Sequence, residues 1–307
     1  MNLKGRDFIT LADFSQSELW YLLELAKDLK TKQKNGIAHE LHRGKTLAMI
    51  FQKSSTRTRV SFEVAMYHLG GLGMFLSKND LQVGRGEPIE DTARVLARYA
   101  DGILIRTFSH QEVLDLAHYA DVPVINGLTD DYHPTQVLAD LLTIWEYKGR
   151  LDGIKLAYIG DGNNVAHSLL IAGAIMDMEV VVASPEGYSP NPAIVEKAKK
   201  LAKDPGKINV VTNQYEAASG AHVLYTDVWA SMGQEDETIE RKKALLSYQI
   251  NSELVKLAGP DVLVMHCLPA HRGEEISAEV IEGPQSVVFD EAENRLHAHK
   301  AILAAVL

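Results

Sequence analysis

The sequence predicts an α/β protein made of two doubly wound domains, each with a central parallel sheet, joined by long helices. Three observations predict it. Short apolar runs alternate with helical patterns along the chain, as in parallel sheets covered by helices on both faces. The alternation pauses at a long helical stretch near residues 135–150 and then restarts. A length of 307 residues suits about two domains of ~150 residues each.

The elements follow in order. Ser15-Gln16-Ser17-Glu18 has the capping-box pattern and opens a helix with Leu19, Leu22, Leu23 and Ala26 on one face. Residues 45–51 read as a strand, and 56–69 as a helix stopped by Gly70-Gly71. Strands at 73–77, 102–107 and 122–126 alternate with helices at 91–99 and 111–119. A long helix covers 135–147 and ends near Gly149. Six further strands are expected at 156–160, 180–184, 208–212, 223–227, 262–267 and 286–289. The expected organisation is a first domain over 1–135, an interdomain helix over 136–149, and a second domain over 150–290. A helix over 291–307, opened by Glu293-Asn294-Arg295-Leu296, is expected to pack back on the first domain.

Composition narrows the function classes. The chain is 46% hydrophobic and 23% charged, which fits a globular protein and not a disordered one. Cys267 is the one cysteine, so no intramolecular disulfide is possible and a reducing compartment is expected. No apolar run of ~18 residues is present, so no membrane span is expected. The start has no secretory pattern, and a cytoplasmic location is expected. A net charge of −10 argues against general nucleic-acid binding but leaves room for a local anion site.

Ligands of parallel α/β sheets meet the carboxyl ends of strands, so the residues after each strand carry the information. After the first strand comes Gln52-Lys53-Ser54-Ser55-Thr56-Arg57-Thr58-Arg59. Free N–H groups at a helix start, the hydroxyls of Ser55, Thr56 and Thr58 and the forked guanidinium of Arg57 suit a phosphate. A plain N-cap with a solvated basic face is the competing reading. The Walker pattern is absent. Arg106 ends another strand, where a lone arginine is usually a surface or salt-bridge residue. His133-Pro134-Thr135-Gln136 begins the long helix; His133 either caps it or donates to a ligand carbonyl.

The second half offers Gly160-Asp161-Gly162-Asn163-Asn164, where Val165 replaces the third glycine of a dinucleotide fingerprint. A tight turn presenting Asn163 or Asn164 to a small ligand is the alternative. Asp227 and Ser231, in Asp227-Val228-Trp229-Ala230-Ser231-Met232-Gly233, either hold an ammonium group or cap a helix. His266 and Cys267 are adjacent on a strand and point to opposite faces, so they form no dyad by themselves. Arg295 reads as an exposed helix residue, and His297 and His299 have the wrong spacing for a shared metal. The polar segment 230–240 suits either a mobile lid or an ordinary surface loop.

Taken in order, these motifs resemble the aspartate/ornithine carbamoyltransferase family over essentially the whole chain. Ser55-Thr56-Arg57-Thr58-Arg59, Asp91-Thr92-Ala93-Arg94-Val95-Leu96 and His133-Pro134-Thr135-Gln136 carry the resemblance in the first half. The Gly160, Asp227 and His266-Cys267-Leu268-Pro269 segments resemble its ornithine branch. The resemblance implies transfer of a carbamoyl group from carbamoyl phosphate to the δ-amine of ornithine, without metal or cofactor. It implies that Ser55, Thr56, Arg57 and Thr58 hold the phosphate. Arg106, His133 and Thr58 surround the carbamoyl oxygen. Gln136 and the carbonyls of Cys267 and Leu268 hold the carbamoyl NH₂, and Arg295 completes this half. Asn164, Asp227, Ser231 and Met232 grip ornithine, with Asp227 and Cys267 near the attacking amine. Gln82, in the segment 81–87, is implied to act in a neighbouring subunit, which requires at least a trimer.

Other acceptors remain open alternatives: aspartate, putrescine or an acylated ornithine. So do a dehydrogenase built on Gly160-Asp161-Gly162 and a non-catalytic protein of the same fold.

Overall fold

The computed structural model describes residues 1–78, 81–82, 86–230 and 235–307. The chain divides into two compact units. The first is Met1–Leu142 with Glu293–Leu307, and the second is Thr143–Ala292.

In the first unit, Ser15 caps α1 (Gln16–Lys34) through the expected reciprocal box: Glu18 N–H donates to its hydroxyl and Ser15 N–H to the Glu18 carboxylate. The helix buries Leu19, Leu22, Leu23, Ala26 and Leu29, so the spacing of its apolar residues fixes the buried face. Then follow β1 (Thr46–Phe51), α2 (Thr56–His68), β2 (Leu72–Ser77), α3 (Ile89–Leu96), β3 (Gly102–Arg106), α4 (His110–Tyr119), β4 (Val124–Leu128) and the first part of α5 (Pro134–Lys148), whose last residues belong to the second unit. The four strands are parallel in the order β2-β1-β3-β4. Strand order reverses beside β1, so the ends of β1 and β3 flank a switch point, where such sheets bind ligands.

The second unit contains β5 (Lys155–Ile159), α6 (Asn164–Ile175), β6 (Glu179–Ala183), α7 (Pro192–Leu201), β7 (Ile208–Val211), α8 (Gln214–Ala218) and β8 (Val223–Thr226). After it come α9 (Thr238–Leu245), α10 (Ser252–Ala258), β9 (Leu263–His266), α11 (Ala278–Ile281) and the start of α12 (Val288–Val306). Its strands are parallel in the order β7-β6-β5-β8-β9. The order reverses beside β5, and the ends of β5 and β8 flank the second switch point.

Two sequence expectations are corrected. The strand expected at 286–289 does not form. Val264 makes only an isolated bridge to Ser286, and the chain then enters α12 at Val288. Val287 and Val288 are buried as the entry to a helix, while Phe289 is 63% exposed. Asp290 and Glu291 in the first turn favour the helix start through its dipole. Consequently α12 begins ahead of Glu293, the residue expected to open it. The second correction is Arg295, which is 3% exposed and not a surface residue. Residues 293–307 belong to the first unit, where Gly5 N–H donates to Val306 O and Leu303 O bonds His42 Nε2.

Candidate active site

The first unit gathers cations at the start of α2. Ser55 is extended and caps the helix, its hydroxyl accepting Thr58 N–H at 3.2 Å. A helix leaves its first N–H groups without intrahelical acceptors, which favours an anion. Thr58 is fully buried, and its hydroxyl accepts from Arg295 Nη2 at 2.6 Å. Arg57 Nε is buried without a hydrogen-bond partner among the described residues. Arg106 ends β3 where the register against β4 slips, a local irregularity that re-aims a side chain. Neighbouring groups hold the loop base: Gln52 donates to the Glu112 carboxylate, as does Thr107.

His133 precedes α5 and is buried. Burial holds its imidazole well below the usual range, and the positive charges of Arg295 and Arg106 push it further down. It is therefore a neutral donor, suited to a developing oxyanion. Gln136, one turn on, is fixed by donating to Asp140 at 2.8 Å. His299 stacks on Phe62 and bonds Ser61 through Nδ1 at 2.8 Å. Ser61 in turn donates to Arg57 O at 2.6 Å, so α12 buttresses the helix that carries the phosphate-type motif.

The second unit is organised around Asp227, just beyond β8. Its carboxylate accepts from Cys267 Sγ at 2.9 Å, Val228 N–H at 2.8 Å and Asn163 Nδ2 at 2.7 Å. Asn163 caps α6, accepting from Val165 N–H, and also accepts from the Tyr158 hydroxyl. Asn163 is thus committed to structure, which leaves Asn164, the first residue of α6, as the candidate for ligand contact. Asp161 pairs with Arg241 at 3.1 Å; burial raises its carboxyl to about 6 in spite of that partner. Gly162 is required by space, since a Cβ there would lie 2.2 Å from Pro190 N, which supports the tight-turn reading.

Cys267 and Leu268 follow β9. Leu268 has φ +56°, a conformation costing a branched side chain about 1–3 kcal/mol. Asp227, His266 and Cys267 each bring one ligand-type atom within 4.8 Å of the others. Both His266 nitrogens already make hydrogen bonds, so the set reduces to a carboxylate and a thiol.

Ser55, Thr56, Arg57, Thr58, Arg106, His133, Gln136 and Arg295 all belong to the first unit. Asn164, Asp227, Cys267 and Leu268 belong to the second. Gln82 is exposed, and Ser231 and Met232 lie outside the described residues. The supporting groups His299, Ser61, Glu112 and Arg241 escaped sequence reasoning. Each acts through a partner distant in the chain, and only the unsuitability of the histidines as metal ligands hinted at another role.

An anion-type helix start with neutral and cationic donors, and a carboxylate–thiol pair built from the ends of β8 and β9, are the equipment of a group-transfer enzyme with an anionic donor and an amine acceptor. Residues 6–146 match the model for the carbamoyl-P binding domain of aspartate/ornithine carbamoyltransferase, and residues 152–306 that for its Asp/Orn binding domain. The chain belongs to the aspartate/ornithine carbamoyltransferase family. An ornithine carbamoyltransferase of Anoxybacillus flavithermus is 59% identical, over 100% of this chain and 98% of that one. One from Symbiobacterium thermophilum is 60% identical over 99% of each. The structure of ornithine carbamoyltransferase from Pyrococcus furiosus superposes with a TM-score of 0.96 at 57% identity, covering 100% of this chain and 98% of that one.

Proposed function

We propose that this chain transfers the carbamoyl group of carbamoyl phosphate to the δ-amine of L-ornithine, giving L-citrulline and phosphate. The observation that carries the choice of acceptor is Asp227, a buried carboxylate 2.9 Å from Cys267 Sγ. An acidic group suits an ammonium-bearing acceptor better than one with a second carboxylate.

Residues 1–135, with the helix over 291–307, handle carbamoyl phosphate. Residues 150–290 handle ornithine, and 136–149 link them. Ser55, Thr56, Arg57 and Thr58 hold the phosphate, with Arg295 fixing Thr58. Arg106, neutral His133 and Thr58 take the carbamoyl oxygen. Gln136 and the carbonyls of Cys267 and Leu268 take the NH₂. Asn164, Asp227, Ser231 and Met232 hold ornithine's α-amino and α-carboxylate groups, and Asp227 with Cys267 orients the δ-amine.

The amine attacks the carbamoyl carbon as a neutral group. An alkylamine of pKa ~10.4 pays roughly 4–5 kcal/mol to be neutral at pH 7, a cost that desolvation reduces. The N–C bond forms, the carbonyl oxygen gains charge against Arg106 and His133, the C–O bond to phosphate breaks, and the departing phosphate takes the proton that the attacking nitrogen releases. Cys267 acts by position and polarity, without forming a covalent intermediate.

The Pyrococcus furiosus relative is named anabolic, which supports a biosynthetic direction toward arginine. Among the described residues no helix is long and apolar enough to cross a membrane. We place the enzyme in the cytoplasm as a homotrimer, or a multiple of trimers, with Gln82 contributed to a neighbouring subunit.

The test is product formation from carbamoyl phosphate with ornithine, aspartate, putrescine and N-acetylornithine. Citrulline from ornithine alone supports the proposal. Turnover of another acceptor alone overturns the role of Asp227, and no turnover with any of them overturns the function.

A further inference from the structure

We propose that His266 and Glu275 are a buried positioning pair that sets the backbone of Cys267–Leu268 for the reaction; this rests on the carbamoyl-transfer proposal. His266 ends β9 and Glu275 lies in the loop that follows, and both side chains are 0% exposed. Leu268 N–H donates to His266 Nδ1 at 2.9 Å. A nitrogen that accepts carries no proton, so the imidazole proton sits on Nε2. That nitrogen is 3.0 Å from Glu275 Oε1 and donates to it. The same oxygen accepts His271 N–H, so one carboxylate ties both ends of the 266–271 turn.

The pairing selects a tautomer. A carboxylate offers only acceptors and therefore demands the proton on Nε2, leaving Nδ1 bare for Leu268 N–H. An amide at 275 offers either an acceptor or a donor and removes that demand. Retaining a carboxylate here is costly, because Glu275 Oε2 is buried without a hydrogen bond among the described residues. His271 Nδ1 is 3.8 Å from it, beyond hydrogen-bonding range.

Position explains what the pair is for. His266 N–H donates to Glu291 Oε2 at 2.9 Å, which anchors the strand end. Leu268 is the residue at φ +56°, and its N–H is the one His266 captures. Successive side chains along an extended chain point to opposite faces. His266 turns toward Glu275 while Cys267 turns to Asp227. His266 thus acts through the backbone of Leu268, whose carbonyl holds the carbamoyl NH₂, and touches no reacting atom.

The experiment compares Glu275→Gln with two double variants. Asn can accept an N–H two residues on, as in an Asx turn, and so replaces Nδ1; Leu cannot. Steady-state kcat and both KM values are measured, with phosphate affinity as the control for the first unit and thermal unfolding as the control for folding. Imidazole ¹⁵N spectra report the tautomer; the His266 signals are those missing from the double variants.

In the native protein His266 is expected as a single Nε2–H tautomer. Glu275→Gln is expected to mix tautomers and to lower kcat at least ten-fold with phosphate affinity unchanged. His266→Asn with Glu275→Gln is expected to recover several-fold over His266→Leu with Glu275→Gln. Native kinetics in folded Glu275→Gln, equal activity of the Asn and Leu doubles, or an Nδ1–H tautomer in the native protein overturns the proposal. The native tautomer decides even where a variant does not fold. A native chain inactive with every acceptor sinks the function while leaving the tautomer result as a separate reading of the pair.

Discussion

The two units solve opposite electrostatic problems. The first gathers Arg57, Arg106 and Arg295 near His133 and holds that imidazole neutral, chiefly by burial. The second buries a carboxylate, Asp227, and satisfies it with a thiol, an amide and a backbone N–H. The first works from regular structure, a capped helix following a strand. The second works from irregular chain after β5, β8 and β9. An anion can be met by dipoles that regular helices supply at no extra cost. A flexible diamine needs acceptors placed individually, and loops past strand ends place them. The difference predicts that removing a charged side chain from one unit falls on one substrate.

The largest expected effect tests that division in the first unit. Arg57→Gly is expected to lower turnover by ~10²–10³ and to weaken carbamoyl-phosphate binding, because it removes a forked cation at the helix start. The KM for ornithine and the phosphate affinity are measured together. Normal phosphate affinity in that variant would remove Arg57 from the donor half.

His133→Gln follows, with a loss of ~10² in kcat and little change in phosphate affinity. Its burial also makes a pH statement. His133 and His299 are both held well below 6.5 in the folded protein. Below pH 6.5 the unfolded chain therefore binds more protons than the folded one, and stability falls as the solution is acidified. Kcat, by contrast, is expected to show no protonation step of His133 between pH 8 and 6.5. A thermal midpoint that rises on acidification from pH 6.5 to 5.5 would contradict this for the pair.

In the second unit, Asp227→Asn is expected to raise the KM for ornithine by roughly ten-fold or more, as a charge-assisted contact worth about 1.5–3 kcal/mol is lost. The donor KM should not move. A change confined to the donor would break the comparison between the units. Cys267→Ser is milder. A neutral hydrogen bond contributes about 0.5–1.5 kcal/mol, so a loss of ten-fold or less is expected. Complete inactivity together with a trapped carbamoyl-cysteine would restore the thiol as a nucleophile.

The same difference explains what was legible in the sequence. Ser55 to Thr58 is contiguous, so the capped helix start can be read directly. Arg106 and His133 each stand at an element end, where a parallel sheet places its ligands. Arg295 entered the site only through the resemblance, because helical periodicity gives a face but not what covers it; its partner Thr58 lies 237 positions away. The 286–289 run was misread because two valines and a phenylalanine satisfy a strand pattern as well as a helix entry. In the second unit Asn163 and Asn164 are chemically alike, and only the cap geometry tells them apart. His266 and Glu275 are nine positions apart with a turn between them, and no periodicity links such a pair.

The smallest effect lies away from the site, in the helix that carries Arg295. Lys300 is buried, donating to Leu29 O at 3.2 Å and Gln33 Oε1 at 2.7 Å. Burial lowers its ammonium from 10.5 to about 8. Between those values the unfolded chain keeps a proton that the folded protein has released, so the group's contribution to stability grows as pH rises from about 8 to 10.5. The full span is worth roughly 3 kcal/mol at most. Lys300→Met is expected to flatten this component, so the difference in thermal midpoint between variant and native protein changes with pH above 8 and stays constant below 7. A difference independent of pH from 7 to 10 would mean that Lys300 titrates as it does in water. Its burial then costs the fold nothing electrostatically, and its bonds to Leu29 O and Gln33 Oε1 hold α12 without a charge penalty.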